Sequence, residues 1–157
     1  MYLALRFMKS NIKETEPIIL CGDLNSPPET NTIRVFLTLE EPKEDYCRKI
    51  EPKNYKFYEE IYKEYVALES PFKWEGAYKD YKSIDISNDG SQGFPTYTNY
   101  TASYKGTLDY IFYTPGSLKP ISILKIPTPE EIETKSLPNL KYPSDHLPVM
   151  TFFEFTD

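Results

Sequence analysis

The sequence predicts an α/β domain, and three observations carry that prediction. Apolar residues recur at helical spacing in some stretches and form short continuous runs in others. Connections rich in Pro, Gly, Ser and Asn separate the runs. Acidic or imidazole groups stand where such runs end, and the rim of a sheet is where α/β folds place their chemistry. With 157 residues, 39% of them hydrophobic, the chain is long enough for one domain with a real core.

From the amino end, Met1 to Glu14 carries Leu5, Met8 and Ile12 at helical spacing, and Pro17 stops it, which predicts an amphipathic helix. Ile18 to Cys21 is a continuous apolar run closed by Gly22, the pattern of a buried strand. Ser26-Pro27-Pro28-Glu29-Thr30 is a turn leading into a helix with Ile33, Phe36 and Leu37 on one face. Glu40 to Glu69 is charged and tyrosine-rich, and Tyr58, Ile61, Tyr62, Tyr65 and Leu68 suggest a further helix. Ser83 to Gly93 has the composition of a loop. Phe94 to Tyr100, Leu108 to Tyr113, Ile121 to Ile126 and Leu147 to Phe155 read as four strands joined by Pro-rich or polar connections.

Several classes are disfavoured before any motif is weighed. The longest apolar stretches fall far short of the ~20 residues of a membrane helix. The first residues lack the pattern of a secretory signal, so the chain reads as soluble and intracellular. Two cysteines, Cys21 and Cys47, are too few for a metal cluster and read as free thiols. Lys+Arg 18 against Asp+Glu 24 gives a net charge of -6. That acidity disfavours tight, nonspecific binding to nucleic acid, yet carboxylates that hold a metal also count as negative.

Three acidic phrases carry chemistry. Hydrolysis of a phosphodiester needs a positioned water, positive charge near the phosphoryl oxygens, and donors to the non-bridging oxygens. In Gly22-Asp23-Leu24-Asn25, side chains at i and i+2 of an extended segment point the same way, so Asp23 and Asn25 face one ligand while Leu24 points inward. Gly22 would let a ligand approach closely. An Asx turn, with both residues bonding only their own backbone, is the stronger reading of this tetrapeptide taken alone. Asp145 and His146, adjacent after Pro143-Ser144, point apart, so the carboxylate can reach a metal and the imidazole a phosphate. His146 is the only histidine. Asp109 stands in the otherwise apolar run Leu108-Asp109-Tyr110-Ile111-Phe112-Tyr113, where an unpaired carboxylate is costly and His146 is the one imidazole that can pair with it. A solvent-facing aspartate on an edge strand is the alternative.

Taken together, Gly-Asp-Leu-Asn-Ser, Leu-Asp-Tyr-Ile-Phe-Tyr and Pro-Ser-Asp-His, in this order, resemble the endonuclease/exonuclease/phosphatase superfamily. The run Tyr97-Thr98-Asn99-Tyr100-Thr101 followed by Tyr104-Lys105-Gly106-Thr107-Leu108-Asp109 is similar to the branch holding the carbon-catabolite-repressor deadenylases, the Angel proteins and nocturnin. The resemblance runs from about Ile18 to Phe155 and is weakest from Glu40 to Tyr81. It implies half of a two-layer, DNase I-like α/β sandwich, with a mixed, mostly antiparallel sheet and flanking helices. It also implies roles. Asp23 would position or deprotonate the attacking water, Asn25 would bind a phosphate oxygen, and Asp109 would orient His146 on the scissile phosphate. Asp145 would help hold Mg²⁺, for which Mn²⁺ could substitute. Asn99 and Tyr104 would hold an adenine base, with ordinary strand packing as the alternative for both.

The resemblance also implies what is missing. The family domain is roughly twice this length, and its principal metal ligand is a glutamate in the N-terminal half. Glu14 and Glu16 do not resemble its setting. The chain, residues 1–157, is therefore expected to be the C-terminal part of such a domain, with an uncovered apolar face and little activity alone. The implied function is a Mg²⁺-dependent 3′-5′ exoribonuclease of deadenylase type acting on poly(A) and releasing 5′-AMP, in the cytoplasm and also the nucleus. Its partners would be RNA, deadenylase-complex subunits or the absent N-terminal half, and no membrane. A phosphatase or cyclic-phosphate hydrolase of nucleotides or RNA ends, and an inactive fragment that only binds, are the competing readings.

Overall fold

Short strands dominate the chain because its apolar runs are short. In chain order the elements are α1 (Tyr2–Asn11), β1 (Ile19–Asp23), α2 (Asn31–Thr38), β2 (Glu75–Gly76), β3 (Asn99–Tyr100), β4 (Lys105–Gly106), β5 (Asp109–Tyr113), β6 (Leu118–Ile123), α3 (Pro129–Ile132) and β7 (Thr151–Phe155). The structure is a computed structural model and describes residues 2–38, 60, 63, 72–79 and 94–156. Apart from Glu60 and Lys63, both helical, the helix expected between Glu40 and Glu69 lies outside the described residues. So do Cys47 and the loop expected over Ser83 to Gly93.

The chain divides into two compact units, Met1–Glu16 with Glu29–Trp74, and Pro17–Pro28 with Glu75–Asp157. In the first, α1 buries Leu5 and Met8, three residues apart, and α2 buries Ile33 and Phe36 at the same spacing. Phe36 packs 5.1 Å from Trp74, which in turn lies 6.1 Å from Phe72. Helix α1 ends at Asn11, short of the expected Glu14, where the Asn11 amide donates to the Phe7 carbonyl and turns follow.

The second unit contains every strand found among the described residues. Strand β5 is central in a three-stranded antiparallel sheet of order β1-β5-β2, and β3-β4 and β6-β7 form two further antiparallel pairs. The period of two along β5 divides its side chains between two packed faces. Ile111 and Tyr113 join a core with Ala77, Leu118, Ile126, Ile132 and Leu147. Tyr110 and Phe112 stack at 5.3 Å, and Phe94 meets both edge-on. Burial of each such side chain stabilises by roughly 1.5–3 kcal/mol, so β5 is held rigidly from both faces. Helix α3 starts with a reciprocal cap: the Glu131 amide donates to Thr128 Oγ1, and the Thr128 amide to Glu131 Oε2.

Four expected strand features differ, and prolines or missing neighbours explain them. The Ile18–Cys21 strand was expected to be buried; only Ile18 is, and β1 is an exposed edge because β5 is its sole partner among the described residues. Of Phe94 to Tyr100 only Asn99–Tyr100 is strand, since Pro95 has no amide to pair. The strand expected over Ile121–Ile126 is shifted to Leu118–Ile123 with an irregularity after Pro120. That expected from Leu147 begins only at Thr151, after Pro148. Ile19, Ile121, Phe152 and Phe155 are exposed.

Candidate active site

The site is built from the ends of β1 and β5, the β3 strand, and the loop that carries Asp145 and His146. Pairing of β1 with β5 sets Asp23 directly opposite Asp109. Asp109 is the first residue of a central strand, not part of an edge. His146 Nδ1–H donates to Asp109 Oδ2 at 2.7 Å, which is the pairing that the buried-carboxylate reasoning required. A carboxylate only accepts, so the proton sits on Nδ1 and Nε2 is left for a substrate. One oxygen or ring nitrogen from each of Asp23, Asp109 and His146 falls within 4.8 Å of the others.

Partial burial alone would lower the affinity of His146 for a proton. The hydrogen bond and charge of Asp109, with the charges of Asp23 and Asp145, outweigh it and hold the imidazole above its ordinary value. The charged form of the ring is thereby favoured over that of a free imidazole.

On β1 the Asx turn is present as well. The Asn25 amide donates to Asp23 Oδ1 at 2.8 Å, and Asn25 adopts φ 46°, a left-handed conformation that asparagine tolerates. The two readings of the tetrapeptide are thus compatible, because the turn aims Asp23 toward the other two groups. Gly22 gives no close approach: a Cβ there would meet only Leu24, at 4.0 Å. Gly106 does, since a Cβ there would lie 2.5 Å from the Tyr104 hydroxyl and 2.9 Å from its ring.

Asp145 and Asn99 form a second centre. Asn99 Nδ2 donates to Asp145 Oδ2 at 3.2 Å, and Asp145 is not in the group of Asp23, Asp109 and His146. Tyr104 is exposed, its ring over Gly106, which pairs with Asn99 across β3-β4.

Residues that motif reading passed over tie these parts together. Thr98, fully buried, accepts the amides of both Leu108 and Asp109 on Oγ1 at 3.0 Å, and its carbonyl accepts the Leu147 amide at 2.7 Å. One residue therefore fixes the start of β5 and the exit from His146. Ser144 Oγ accepts the His146 amide, and the Tyr110 hydroxyl donates to the carbonyl of Ser26, just past the Asp23 turn. A small polar residue set between tyrosines, as in Tyr97-Thr98-Asn99-Tyr100, was the available signal for Thr98.

The sequence pattern of the Endonuclease/Exonuclease/phosphatase family matches residues 2–146. The CCR4-Not complex 3′-5′-exoribonuclease subunit Ccr4 of Mycosarcoma maydis is 31% identical over 140 residues, 87% of this chain and 18% of that protein. Nocturnin of Xenopus laevis is 31% identical over 147 residues, 91% of this chain and 28% of that protein. The crystal structure of ANGEL2, a 2′,3′-cyclic phosphatase, in complex with adenosine-2′,3′-vanadate, superposes with a TM-score of 0.61 at 24% identity, covering 97% of this chain and 50% of that one. The chain thus spans well under two thirds of the curated relatives it matches, and its fold is that of the DNase I-like sandwich.

Proposed function

The chain belongs to the Endonuclease/Exonuclease/phosphatase family, and from that premise we propose that it forms the C-terminal half of a Mg²⁺-dependent 3′-5′ exoribonuclease acting on adenylate-containing RNA. One observation carries the reading: the Asp109–His146 pair at 2.7 Å facing Asp23. Two opposed carboxylates and a carboxylate-held imidazole are what water attack on a phosphodiester requires. Similarity to the 3′-5′-exoribonuclease subunit Ccr4 supports the choice of RNA.

The donor set suits a hard divalent ion. Like charges opposite each other on paired strands favour a cation nearby, and Mg²⁺ takes one or two carboxylates and keeps several waters. The opposed Asp23 and Asp109 would hold it together with Asp145, and when bound it would offset negative charge on the phosphoryl oxygens. Asp23 accepts a proton from the attacking water as the new P–O bond forms and the bond to the 3′-oxygen of the preceding nucleotide breaks. Solvent water protonates that departing oxygen. His146, oriented by Asp109, donates from Nε2 to a non-bridging oxygen, and Asn25 donates to another. Tyr104 offers an exposed ring on which a base can stack, worth ~1–3 kcal/mol.

Full activity, on this reading, needs the N-terminal half with its glutamate ligand. The test is a substrate panel of oligo(A), RNA with a 2′,3′-cyclic end and 2′-phosphorylated nucleotides, offered to the 157-residue chain alone and joined to that half. Mg²⁺-dependent release of 5′-AMP from oligo(A) by the joined form is expected. Opening of the cyclic end alone would transfer the site to the phosphatase reading, and strong activity of the isolated chain would refute the half-domain.

A further inference from the structure

We propose that Asn99 is a positioning residue for Asp145 and does not read the base; the inference deepens the function proposed above and rests on it for its kinetic test. Three facts lead there. Asn99 is buried, 5% exposed, on the strand that the His146 loop crosses. Its Nδ2 donates to Asp145 Oδ2 at 3.2 Å. Its backbone forms an isolated antiparallel bridge with His146, while the next amide, that of Tyr100, donates to the Asp145 carbonyl at 3.1 Å.

Asp145 is therefore gripped twice from one strand, by side chain and by backbone. Asp145 and His146 are adjacent, so holding Asp145 by its side chain and its carbonyl limits where the backbone can carry His146, whose own backbone is bridged to Asn99. The preceding residue completes the splint: Thr98 bonds the Asp109 amide and, through its carbonyl, the Leu147 amide. Thr98 and Asn99 thus lock both ends of the Asp109–His146 pair and the carboxylate beside it. An asparagine committed in this way, and buried, has little to offer a nucleobase, whereas the neighbouring Tyr104 is 38% exposed and presents a ring face. Stacking on an aromatic face is tolerant of base identity. Preference among bases then does not run through Asn99.

The kinetic test compares Asn99→Ala, Asp145→Ala and the double variant, in the chain joined to its N-terminal half, on oligo(A) and oligo(C). Asn99→Ala is expected to lower kcat by about 10-fold or more on both, with KM and the A-to-C ratio unchanged, and to add nothing in the Asp145→Ala background. A collapse of the A-to-C ratio, or full additivity with Asp145→Ala, overturns the proposal. A second measurement is independent of catalysis, and so separates failure of this inference from failure of the proposed function. The Asn99 side-chain amide, identified in an NMR spectrum by its loss in Asn99→Ala, should shift on Asp145→Ala and stay unmoved by added 5′-AMP. The reverse pattern, movement with 5′-AMP and none with Asp145→Ala, sinks it even if no substrate is ever cleaved.

Discussion

Strands β1 and β5 each bring one carboxylate to the same point, yet they are supported in opposite ways. Asp109 opens a central strand whose side chains are packed on both faces, and its amide and carboxylate are tied to Thr98 and His146. Asp23 closes an exposed edge strand and is shaped chiefly by its own Asx turn and by the Tyr110 hydroxyl on Ser26. The comparison teaches that one side of the site is a property of the fold and the other a property of a turn. Substitutions on the β5 side should damage function and stability together, and those on the β1 side should separate them.

The sharpest break comes from His146→Ala or Asp23→Ala in the chain joined to its N-terminal half. Each should lower turnover at least ~10²-fold, and thermal denaturation should show Asp23→Ala leaving stability nearly intact. Unchanged turnover in either would remove that residue from the chemistry. Next in size is Thr98→Val, which keeps the shape but orphans two amides. It should cost roughly 1–3 kcal/mol in denaturant unfolding, and a cost near zero would mean that the splint is not what holds β5 to the His146 loop.

A smaller, signed effect belongs to the pair itself. A histidine whose folded pKa is raised contributes stability that is fully present below its unfolded value, about 6.5, and lost as pH rises through the folded value. Asp109→Asn removes the acceptor charge, so the ring should titrate at lower pH in an NMR titration, and wild type should lose part of its stability advantage over the variant as pH rises past 7. An unmoved titration would show that Asp109 does not govern the imidazole. Smallest of all, Ile19→Thr on the exposed β1 edge should change stability by no more than ~0.5 kcal/mol. A large loss would mean that β1 is less exposed than its geometry indicates.

Much of the site was legible because its chemistry is expensive to place by accident. A lone aspartate in Leu108-Asp109-Tyr110-Ile111 demanded a partner, and one histidine could supply it. The α/β class, the helix face of Ile33 and Phe36, and the strand β5 were legible from periodicity, and a mostly antiparallel sheet was implied by the family resemblance. Strand limits were not, because Pro95 and Pro148 remove pairing amides inside two of the expected runs and Pro120 stands just before a third. The exposure of Cys21 was hidden for another reason: a run that reads as buried says nothing about whether a neighbouring strand is there to cover it. The partners of Thr98 and Asn99 were not legible, since Asp109 and Asp145 lie 11 and 46 residues away.

The glycine beneath the Tyr104 ring gives this chain a dial. Gly106 lies in an ordinary strand and is kept small by the ring alone, as any Cβ there would strike the phenol. A change as slight as Gly106→Ala would lift the ring off the hairpin while leaving every acid, amide and imidazole of the site untouched. On the proposed stacking role of Tyr104, drift in what the site accepts can begin at a residue that has no side chain, through a mutation invisible to any inventory of catalytic groups.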